Sequence, residues 1–435
     1  MVWFLVITSV VCLALCYTLV PELLCHIWHI GTFYHGNRDE RSIALTFDDG
    51  PDPRYTPHVL DLLKQKQAKA TFFVVGENAI RYPELIDEIE KEGHELASHA
   101  YRHKHAWLRW PWETIRDVQN VNEWFNKLAN SHREDGRRFY RPPWGAFNPF
   151  TRMACRMYEL TPVLWDVRAM DWKAGTSPSA IVSQVTTHAQ PGTVVLCHDA
   201  GGDDGAPLHT IAALPNLIDE LRRLGFQLCT VSELHEAYEA KRRMPSPFAP
   251  YPLWRRVLIR VWKIVEFFFD KAYRVLSVNA LLRVGPARWE HGDKILAHPS
   301  VAVHDGCKAL DIHFQSETLM SINPDDAKSL VKGLRLLKSS FKDVARLLQY
   351  HPDFCDVEVV MAHTLMSKGI ELLGFQVEEL PRSLSSRALE IYMRFLMGLY
   401  HKDGFQRLGH GHKDMSMKLV WMTRDELIRR YGEGV

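Results

Sequence analysis

The sequence predicts an α/β protein: an irregular (β/α)7 barrel, preceded by an N-terminal membrane segment and followed by a smaller α+β domain. Two observations support this fold class. Short apolar runs alternate with helical patterns in seven rounds between residues 42 and 238, which is typical of a parallel sheet covered by helices. In addition, several of these runs end in polar side chains suited to catalysis, and sites on parallel barrels gather at the carboxyl ends of the strands.

The first element is an apolar segment. Residues 2 to 21 carry no charged side chain, and about 20 apolar residues are enough to cross a bilayer. A secretory leader is the alternative interpretation. The segment lacks a positively charged start and a small-x-small cleavage site, which favours an uncleaved membrane anchor over residues 1–24.

The seven rounds follow this segment and predict the barrel. Each pairs a strand-like run with a helical pattern. In order, they are Ile43–Phe47 with Val59–Leu63, Ala70–Val75 with Leu85–Ile89, His94–His99 with Ile115–Leu128, Phe139–Tyr140 with Phe150–Tyr158, Pro162–Val167 with Ile181–Thr187, Thr193–His198 with Ile211–Leu224, and Phe226–Val231 with Ser232–Tyr238. A regular barrel of this type has eight strands, so seven rounds predict an irregular one.

A proline-rich stretch, Met244–Pro252, then divides the chain. We therefore predict a barrel domain over residues 36–243, a linker over 244–252 and an accessory α+β domain over 253–435. The accessory domain has two strand-like runs and three helical patterns, which are Lys294–Ala297, Leu310–Phe314, Ala327–Leu348, Phe354–Gly369 and Leu384–Leu396.

The accessory domain begins with Trp254–Leu276, a stretch rich in aromatic and basic side chains. A helix of this composition can lie on an anionic membrane surface. Packing of its apolar side on a neighbouring domain is the alternative, and it is the interpretation that we favour from the sequence.

Composition narrows the classes of function. The 435 residues are 46% hydrophobic with a formal net charge of +1, which fits two substantial cores and gives no reason to expect nucleic acid as a partner. The eight cysteines are scattered without a C-x-x-C pair. We interpret Cys197 and Cys229, which lie in strand-like runs, as buried thiols. The composition does not indicate a protein partner.

Two adjacent carboxylates, Asp48 and Asp49, stand where the first strand-like run meets a Gly-Pro turn. Neighbouring side chains that leave a strand point in different directions, so one can bind a cation while the other moves a proton. An ordinary acidic turn is the alternative. His99 and His103 follow the third run at a spacing of four, from which two imidazoles can reach one ion. The sequence therefore predicts a divalent metal site.

The complete order of motifs resembles that of a known family. Over about residues 40 to 240 the chain is similar to the polysaccharide deacetylases of the NodB homology family, carbohydrate esterase family 4, through Thr-Phe-Asp-Asp-Gly-Pro, His-x-x-x-His, Arg-Pro-Pro-x-Gly, Asp-Trp and Leu-x-His. The resemblance implies that Asp48 is the general base and His198 the general acid. It also implies that Asp49, His99 and His103 bind a divalent ion, with Zn²⁺ the leading choice and Co²⁺ or another ion left open.

The resemblance implies supporting roles for five more residues. Arg141 would hold the base, and Asp171 would orient the acid. Trp172 and Leu196 would line the pocket for the acetyl group. The backbone N–H of Trp144 would stabilise the oxyanion that forms on the substrate.

The chain departs from the family pattern at four positions, and none of them is a proposed metal ligand, base or acid. Ala100 and Lys104 follow the two histidines, where Ser or Thr and Pro are usual. Trp144 replaces a common Tyr, and Arg168 replaces an acid upstream of Asp-Trp. These differences concern the substrate cleft more than the chemistry.

The resemblance implies removal of N-acetyl groups from an N-acetylglucosamine-type polysaccharide, either peptidoglycan or a chitin-like polymer. The apolar N-terminal segment predicts a single-pass membrane protein, and a polymer substrate of this kind predicts that its catalytic domain is extracellular. The Gly292-Asp293-Lys294 turn and the strand-like run from Leu310 resemble the accessory domain of some bacillar deacetylases. Two alternatives remain. One is a membrane-anchored glycan-binding protein with an altered site. The other is a non-haem iron oxygenase, which also uses two histidines and a carboxylate.

Overall fold

The computed structural model describes residues 2–127, 138–244, 246, 248–279, 281–296, 301–314, 327–365, 369–381, 383–400 and 417–432. The chain forms two compact units. Residues 1–37, 42–222 and 226–241 belong to the first unit, and residues 38–41, 223–225 and 242–435 belong to the second. Every predicted site residue lies in the first unit.

The first unit alternates short strands with helices. Its strands are β1 (Ser42–Asp48), β2 (Thr71–Val74), β3 (Glu95–Ser98), β4 (Arg138–Tyr140), β5 (Leu160–Pro162), β6 (Val167–Arg168), β7 (Val194–His198) and β8 (Gln227–Cys229). Its helices are α1 (Val2–Glu22), α2 (Thr56–Gln65), α3 (Gly76–Arg81), α4 (Pro83–Lys91), α5 (Pro111–Lys127), α6 (Pro149–Met157), α7 (Pro178–His188), α8 (Ala206–Arg223) and α9 (Val231–Arg243).

The strands of the first unit form one parallel sheet. Their order is β5-β4-β3-β2-β1-β7-β6, and β8 also pairs with β1. Strand β1 is central because β7 pairs along one side of it, while β8 and β2 pair with its first and second halves. Ile43, Leu45 and Phe47 of β1 are fully buried, so burial of this apolar strand fixes the position of the residues that follow it.

The N-terminal segment after α1 bridges the two sides of the sheet. The Phe33 N–H donates to Pro162 O at 2.8 Å, and Phe33 O accepts from the Leu164 N–H at 2.7 Å. The Gly36 N–H donates to Gly192 O at 2.7 Å, close to the start of β7. Backbone hydrogen bonds of an irregular segment thus replace part of a regular barrel wall. The predicted fold class, an irregular parallel barrel with an apolar helix before it, is confirmed.

One predicted strand is in fact two strands. The pattern over Pro162–Val167 predicted a single strand, but the chain leaves β4 after Pro162 and joins β7 at Val167. Asp166 accounts for the change of neighbour, because its backbone N–H donates to Val194 O at 3.3 Å and its carboxylate accepts the Val194 N–H at 3.1 Å. The described part of the first unit therefore has eight strands where the sequence predicted seven.

The second unit is α+β, as predicted. Its strands are β9 (Leu276–Ser277), β10 (Leu282–Arg288), β11 (Lys294–Leu296), β12 (Val301–Val303), β13 (Lys308–Phe314), β14 (Val359–Thr364), β15 (Gln376–Glu379) and β16 (Lys418–Thr423). Its helices are α10 (Leu253–Ala272), α11 (Ala327–Tyr350), α12 (Leu384–Tyr400) and α13 (Arg424–Tyr431). Six strands form a sheet in the order β15-β16-β14-β13-β10-β9, and β11 pairs with β12.

The helix predicted around Phe354–Gly369 is wrong, because β14 lies within this stretch. This strand is hydrogen-bonded between β13 and β16, and five of its six residues are buried. A strand that is covered on both faces has a continuous apolar sequence, which periodicity alone does not distinguish from a buried helix.

Helix α10 packs only one of its sides on the rest of the second unit. Ile259 is buried, and Arg255 Nε donates to Leu399 O at 2.7 Å. The rings of Trp262 and Tyr392 lie 5.5 Å apart. The opposite side, which includes Val261, is exposed.

Candidate active site

Parallel strands bring the predicted site residues to one edge of the sheet. Asp48 ends β1 and His198 ends β7, and these two residues are partners in the β1–β7 pairing. His99 and Arg141 come directly after β3 and β4, and Asp171 follows β6 by three residues. The remaining predicted residues lie next to Asp48, within β7 or in the loops that leave β3, β4 and β6, and they are Asp49, His103, Trp144, Trp172 and Leu196.

Asp49, His99 and His103 form a cluster in which one ligand atom of each residue lies within 4.8 Å of the others. Asp49 Oδ1 is 3.0 Å from His103 Nε2 and 3.3 Å from His99 Nε2. This oxygen is buried, and no hydrogen bond of acceptable geometry satisfies it. Two ligands of one tetrahedral ion, each roughly 2.1 Å from it, are about 3.4 Å apart. The three side chains therefore fit a divalent cation.

A buried ion pair, which the sequence analysis missed, holds the turn between these two histidines. Asp117 of α5 accepts the backbone N–H groups of Tyr101 and Arg102 at 3.1 and 3.0 Å. Arg109 Nη1 lies 2.7 Å from Asp117 Oδ2, and both side chains are only 5% exposed. No motif in the sequence marks this pair, because its partners come from a loop and a helix whose contact only the fold creates.

Asp48 is buried beside the cluster and is held by a buried arginine. Arg141 Nη1 donates to Asp48 Oδ1 at 2.6 Å and to Thr46 Oγ1 at 2.8 Å. The guanidinium lies 3.8 Å above the ring of Phe73. Burial lowers the pKa of Arg141, although the charge of Asp48 acts against this shift. Asp48 Oδ2 lies 3.6 Å from His99 Nδ1, which is too far for a hydrogen bond, so this oxygen is the one available to a reactant.

His198 is fixed by Asp171. Its Nδ1 lies 2.9 Å from Asp171 Oδ1, and its backbone N–H donates to Asp171 Oδ2 at 2.7 Å. Thr210 Oγ1 donates to the same Oδ2 at 2.8 Å. Burial by itself lowers the pKa of His198, but the charge and the hydrogen bond of Asp171, together with the charges of Asp49 and Asp48, outweigh burial and raise this pKa to about 9. The ring is therefore protonated at neutral pH, with Nε2 as the nitrogen that can release a proton.

Two tryptophans lie beside these groups. The Trp144 side chain is 57% exposed, and its ring centroid is 4.3 Å from that of His103. The Trp172 ring stands edge-on to His198 at 5.6 Å. Leu196 is buried in β7. The structure thus places an open aromatic surface next to the cluster and another aromatic ring next to the protonated imidazole.

Four of the eight non-glycine residues with left-handed backbone in the described part of the chain lie in the loops that carry the site. Asp49, Ala100, Trp144 and Met170 have φ angles of 76°, 66°, 56° and 60°. Each residue is next to a predicted site residue or is one itself. Such conformations cost on the order of 1–3 kcal/mol per non-glycine residue, and they persist where the surrounding structure imposes them, often at functional sites.

Two threonines that bind the site residues were also missed. Thr46 belongs to the Thr-Phe-Asp-Asp motif, so its position in that motif was a usable signal. Its hydroxyl accepts from Arg141 and donates to Val195 O at 2.6 Å. Thr210 lies in α8, 39 residues from its partner Asp171, and nothing in the local sequence indicates its role.

Comparisons with known proteins relate the two parts of the chain to two families. A family model described as polysaccharide deacetylase matches residues 35–163, and a model described as YkoP domain matches residues 255–431. A peptidoglycan-N-acetylglucosamine deacetylase of Bacillus cereus is 37% identical over 198 residues, covering 45% of this chain and 89% of the relative. A chitooligosaccharide deacetylase of Bradyrhizobium sp. is 34% identical, covering 45% of this chain and 91% of the relative.

A solved structure of a peptidoglycan N-acetylglucosamine deacetylase aligns with 31% sequence identity and a TM-score of 0.43, covering 48% of this chain and 95% of that one. By its sequence relatives, the first unit is a carbohydrate-modifying hydrolase. The chain belongs to the polysaccharide deacetylase family, which confirms the resemblance found in the sequence. Its enzymatic class is polysaccharide N-deacetylase, which hydrolyses carbon–nitrogen bonds other than peptide bonds.

Proposed function

We propose that this protein is a metal-dependent N-deacetylase that acts on an N-acetylglucosamine-type polysaccharide, peptidoglycan or a chitin-like polymer, at the cell surface. The observation that carries the proposal is the cluster of Asp49, His99 and His103 with its unsatisfied buried oxygen, next to a carboxylate held by arginine. The named activities of the relatives, on peptidoglycan and on chitooligosaccharides, support this class of substrate.

In the proposed mechanism, Asp49, His99 and His103 hold the ion. A cation held there would supply Lewis-acid chemistry toward the amide carbonyl of the substrate and toward a water molecule. We propose Zn²⁺ as the ion, with Co²⁺ as an alternative, because such a ligand set accepts several divalent metals.

Asp48 is the proposed general base. Arg141 binds its Oδ1, while Oδ2 faces the cluster, where the water molecule would lie. The fixed guanidinium keeps the carboxylate in one orientation, so no reorientation precedes proton transfer. A positioned base of this kind contributes about 10²–10⁴-fold to the rate.

His198 is the proposed general acid. The sugar nitrogen is too basic to leave without a proton, so an acid must be in place when the C–N bond breaks. Asp171 keeps the ring charged at neutral pH, and its carboxylate accepts a hydrogen bond from Nδ1–H of His198. The other ring nitrogen, Nε2, is then available to protonate the amine. We further propose that Trp172 and Leu196 line the acetyl pocket and that the backbone N–H of Trp144 stabilises the oxyanion.

We propose that α1 is an uncleaved anchor. Residues Ile7–Ile27 are long and apolar enough to cross a membrane, a test that a secretory leader also passes. The end of this segment, however, is integrated into the first unit. Glu22 Oε1 accepts the Phe147 N–H at 3.0 Å, and His26 Nε2 lies 2.8 Å from Gly145 O. Cleavage after residue 24 would remove the contact of Glu22, and an anchor would hold an extracellular catalytic unit at the membrane.

The test is acetate release by the full chain in detergent from N-acetylated chitooligosaccharides and from peptidoglycan, after metal removal and titration with Zn²⁺ or Co²⁺. We expect release only with metal. The Asp48→Asn variant should bind one equivalent of metal but lose about 10²–10⁴-fold in rate, whereas Asp49→Asn should lose the metal. Asp87→Asn, an exposed acid of the same unit, should behave as the unchanged protein.

Full activity after metal removal would contradict metal dependence. Stoichiometric metal binding without release from either polymer would instead favour the altered, glycan-binding alternative. A requirement for molecular oxygen would favour the oxygenase alternative.

A further inference from the structure

One side of α10 exposes a row of large apolar side chains. Trp254, Val257, Val261, Ile264 and Phe268 are 48–63% exposed, and they recur three or four residues apart, which places them on one face of the helix. Scattered exposed apolar residues are ordinary on protein surfaces, but a continuous apolar face marks an interaction site.

Helix α12, which contacts α10 through Trp262 on the packed side, exposes apolar side chains as well. There Ile391 is 69% exposed and Phe395 is 37% exposed. Trp262 joins the two helices, because its ring lies 5.5 Å from Tyr392 and 6.2 Å from Phe395. We call the exposed row on α10, formed by Trp254, Val257, Val261, Ile264 and Phe268, the apolar face.

The charges of α10 are separated by sign. The two acids, Glu266 and Asp270, turn toward Arg283 of the same unit, whose Nη2 and Nη1 lie 3.7 Å from Glu266 Oε1 and 2.6 Å from Asp270 Oδ2. At 100° per residue, Arg256 and Arg260 lie between these acids and the apolar face, with Arg260 next to the face. The exposed charged residues between 253 and 274 are all cationic, and they are Arg256, Arg260, Lys263, Lys271 and Arg274.

We propose that the apolar face rests on a membrane that contains anionic lipids. The apolar side chains would enter the boundary between headgroups and acyl chains, and the cationic border would contact the lipid phosphates. This role is separate from the proposed deacetylation, because no residue of the first unit takes part in it.

Charge decides between a membrane and a second copy of this chain. If the apolar faces of two copies packed together, the cationic side chains of both copies would lie around one interface and repel each other. No exposed acid on α10 would neutralise them. An anionic bilayer neutralises every one of them. The same polypeptide also carries α1, which is long and apolar enough to cross a membrane.

The experiment is site-specific photo-crosslinking of the full chain in nanodiscs of phosphatidylcholine, with and without phosphatidylglycerol. A benzophenone amino acid replaces Val261, in the middle of the apolar face, or Lys342, an exposed control on α11. We expect lipid adducts at position 261, more of them with phosphatidylglycerol, and few at position 342. Thermal unfolding would verify that both variants fold.

The double variant Arg256→Gln/Arg260→Gln tests the charge contribution. We expect the phosphatidylglycerol-dependent adducts at position 261 to fall roughly fivefold for each charge removed. Equal lipid adducts at positions 261 and 342 would overturn the proposal. Adducts at position 261 to protein, whether a second copy or the first unit, would overturn it as well.

Discussion

Asp171 determines the charge of the His198 ring. Burial alone would lower the pKa of His198. The charge and hydrogen bond of Asp171 are the largest contributions that raise it to about 9, and the charges of Asp49 and Asp48 add to them. In Asp171→Asn the contributions of Asp171 are weakened while burial remains, so the pKa of His198 should fall well below 9. A general acid works only in its protonated form, so the alkaline limb of the kcat/KM profile should move from about pH 9 to lower pH.

The measurement is a pH profile from pH 5 to pH 10 for the original protein, for Asp171→Asn and for Asp61→Asn, an exposed acid in α2. At pH 8 we expect Asp171→Asn to be at least about tenfold slower than at its own optimum. An unchanged alkaline limb would show that another group sets it.

Gly201 packs directly against the side chain of Asp49, a proposed metal ligand. It has a φ angle of 68°, and a methyl group at this position would lie 2.2 Å from Asp49 Oδ2. Gly201→Ala should displace the carboxylate and weaken Zn²⁺ binding by roughly 10–100-fold. Gly205 has a similar φ angle of 75°, and no atom lies within 4 Å of the position that a methyl group would take there. Gly205→Ala therefore introduces the same backbone strain without a steric clash.

Competition with a chromogenic chelator gives the Zn²⁺ affinity of both glycine variants. The collision argument requires that only Gly201→Ala loses affinity. An equal loss in both variants would show that strain of the left-handed backbone, and not the methyl group beside Asp49, is responsible.

At the scale of elements, apolar content made the main strands predictable. The predicted runs Ile43–Phe47 and Ala70–Val75 correspond to β1 (Ser42–Asp48) and β2 (Thr71–Val74) within one residue at each end. Motifs at the strand ends likewise located the proposed ligands, the base and the acid. The split between β5 and β6 was not predictable, because it depends on a contact between Asp166 and Val194, 28 residues apart.

The same reasoning explains why the support of the histidine turn was missed. Asp117 belongs to a helix whose sequence shows only an ordinary amphipathic pattern, and its role arises from the packing of α5 against the loop after β3. Predictions from sequence therefore found side chains that follow strands. They missed Asp117 and Thr210, which reach the site from helices, and Thr46, which lies within β1.

The contacts of Asp117 with Arg109 and with the turn between the two histidines lead to a prediction for α5. In Asp117→Asn the buried Arg109 loses its charged partner, and the turn between the histidines loses its fixed anchor. We expect the free energy of unfolding to fall by about 3 kcal/mol and Zn²⁺ affinity to fall by roughly tenfold. Denaturant unfolding of the metal-free protein and metal titration measure the two effects separately.

Glu123→Gln, which changes an exposed acid on the same helix, is the matched control and should alter neither quantity by much. A loss of stability without any loss of Zn²⁺ affinity would mean that Asp117 supports the fold alone and does not position the metal ligands.

At the scale of the whole molecule, the N-terminal helix is connected to the site. The Tyr17 hydroxyl donates to Arg109 O, and Asn148 Nδ2 donates to the Tyr17 hydroxyl at 3.1 Å. Arg109 is the partner of Asp117, and Asn148 follows the loop that carries Trp144. Removal of the helix as a leader after export would break both hydrogen bonds of the Tyr17 hydroxyl.

We therefore expect the mature protein to keep residues 2–24. Its membrane fraction should resist alkaline carbonate extraction, and mass spectrometry of the purified protein should identify peptides from the N-terminal helix. Tyr17→Phe removes only the hydroxyl that links Arg109 to Asn148, so it should stay in the membrane with stability reduced by about 1 kcal/mol. Leu13→Phe, on an exposed apolar position of the same helix, is the control. A mature N-terminus after residue 24 would contradict the anchor, because the contacts of Tyr17 and Glu22 would then be absent from the working enzyme.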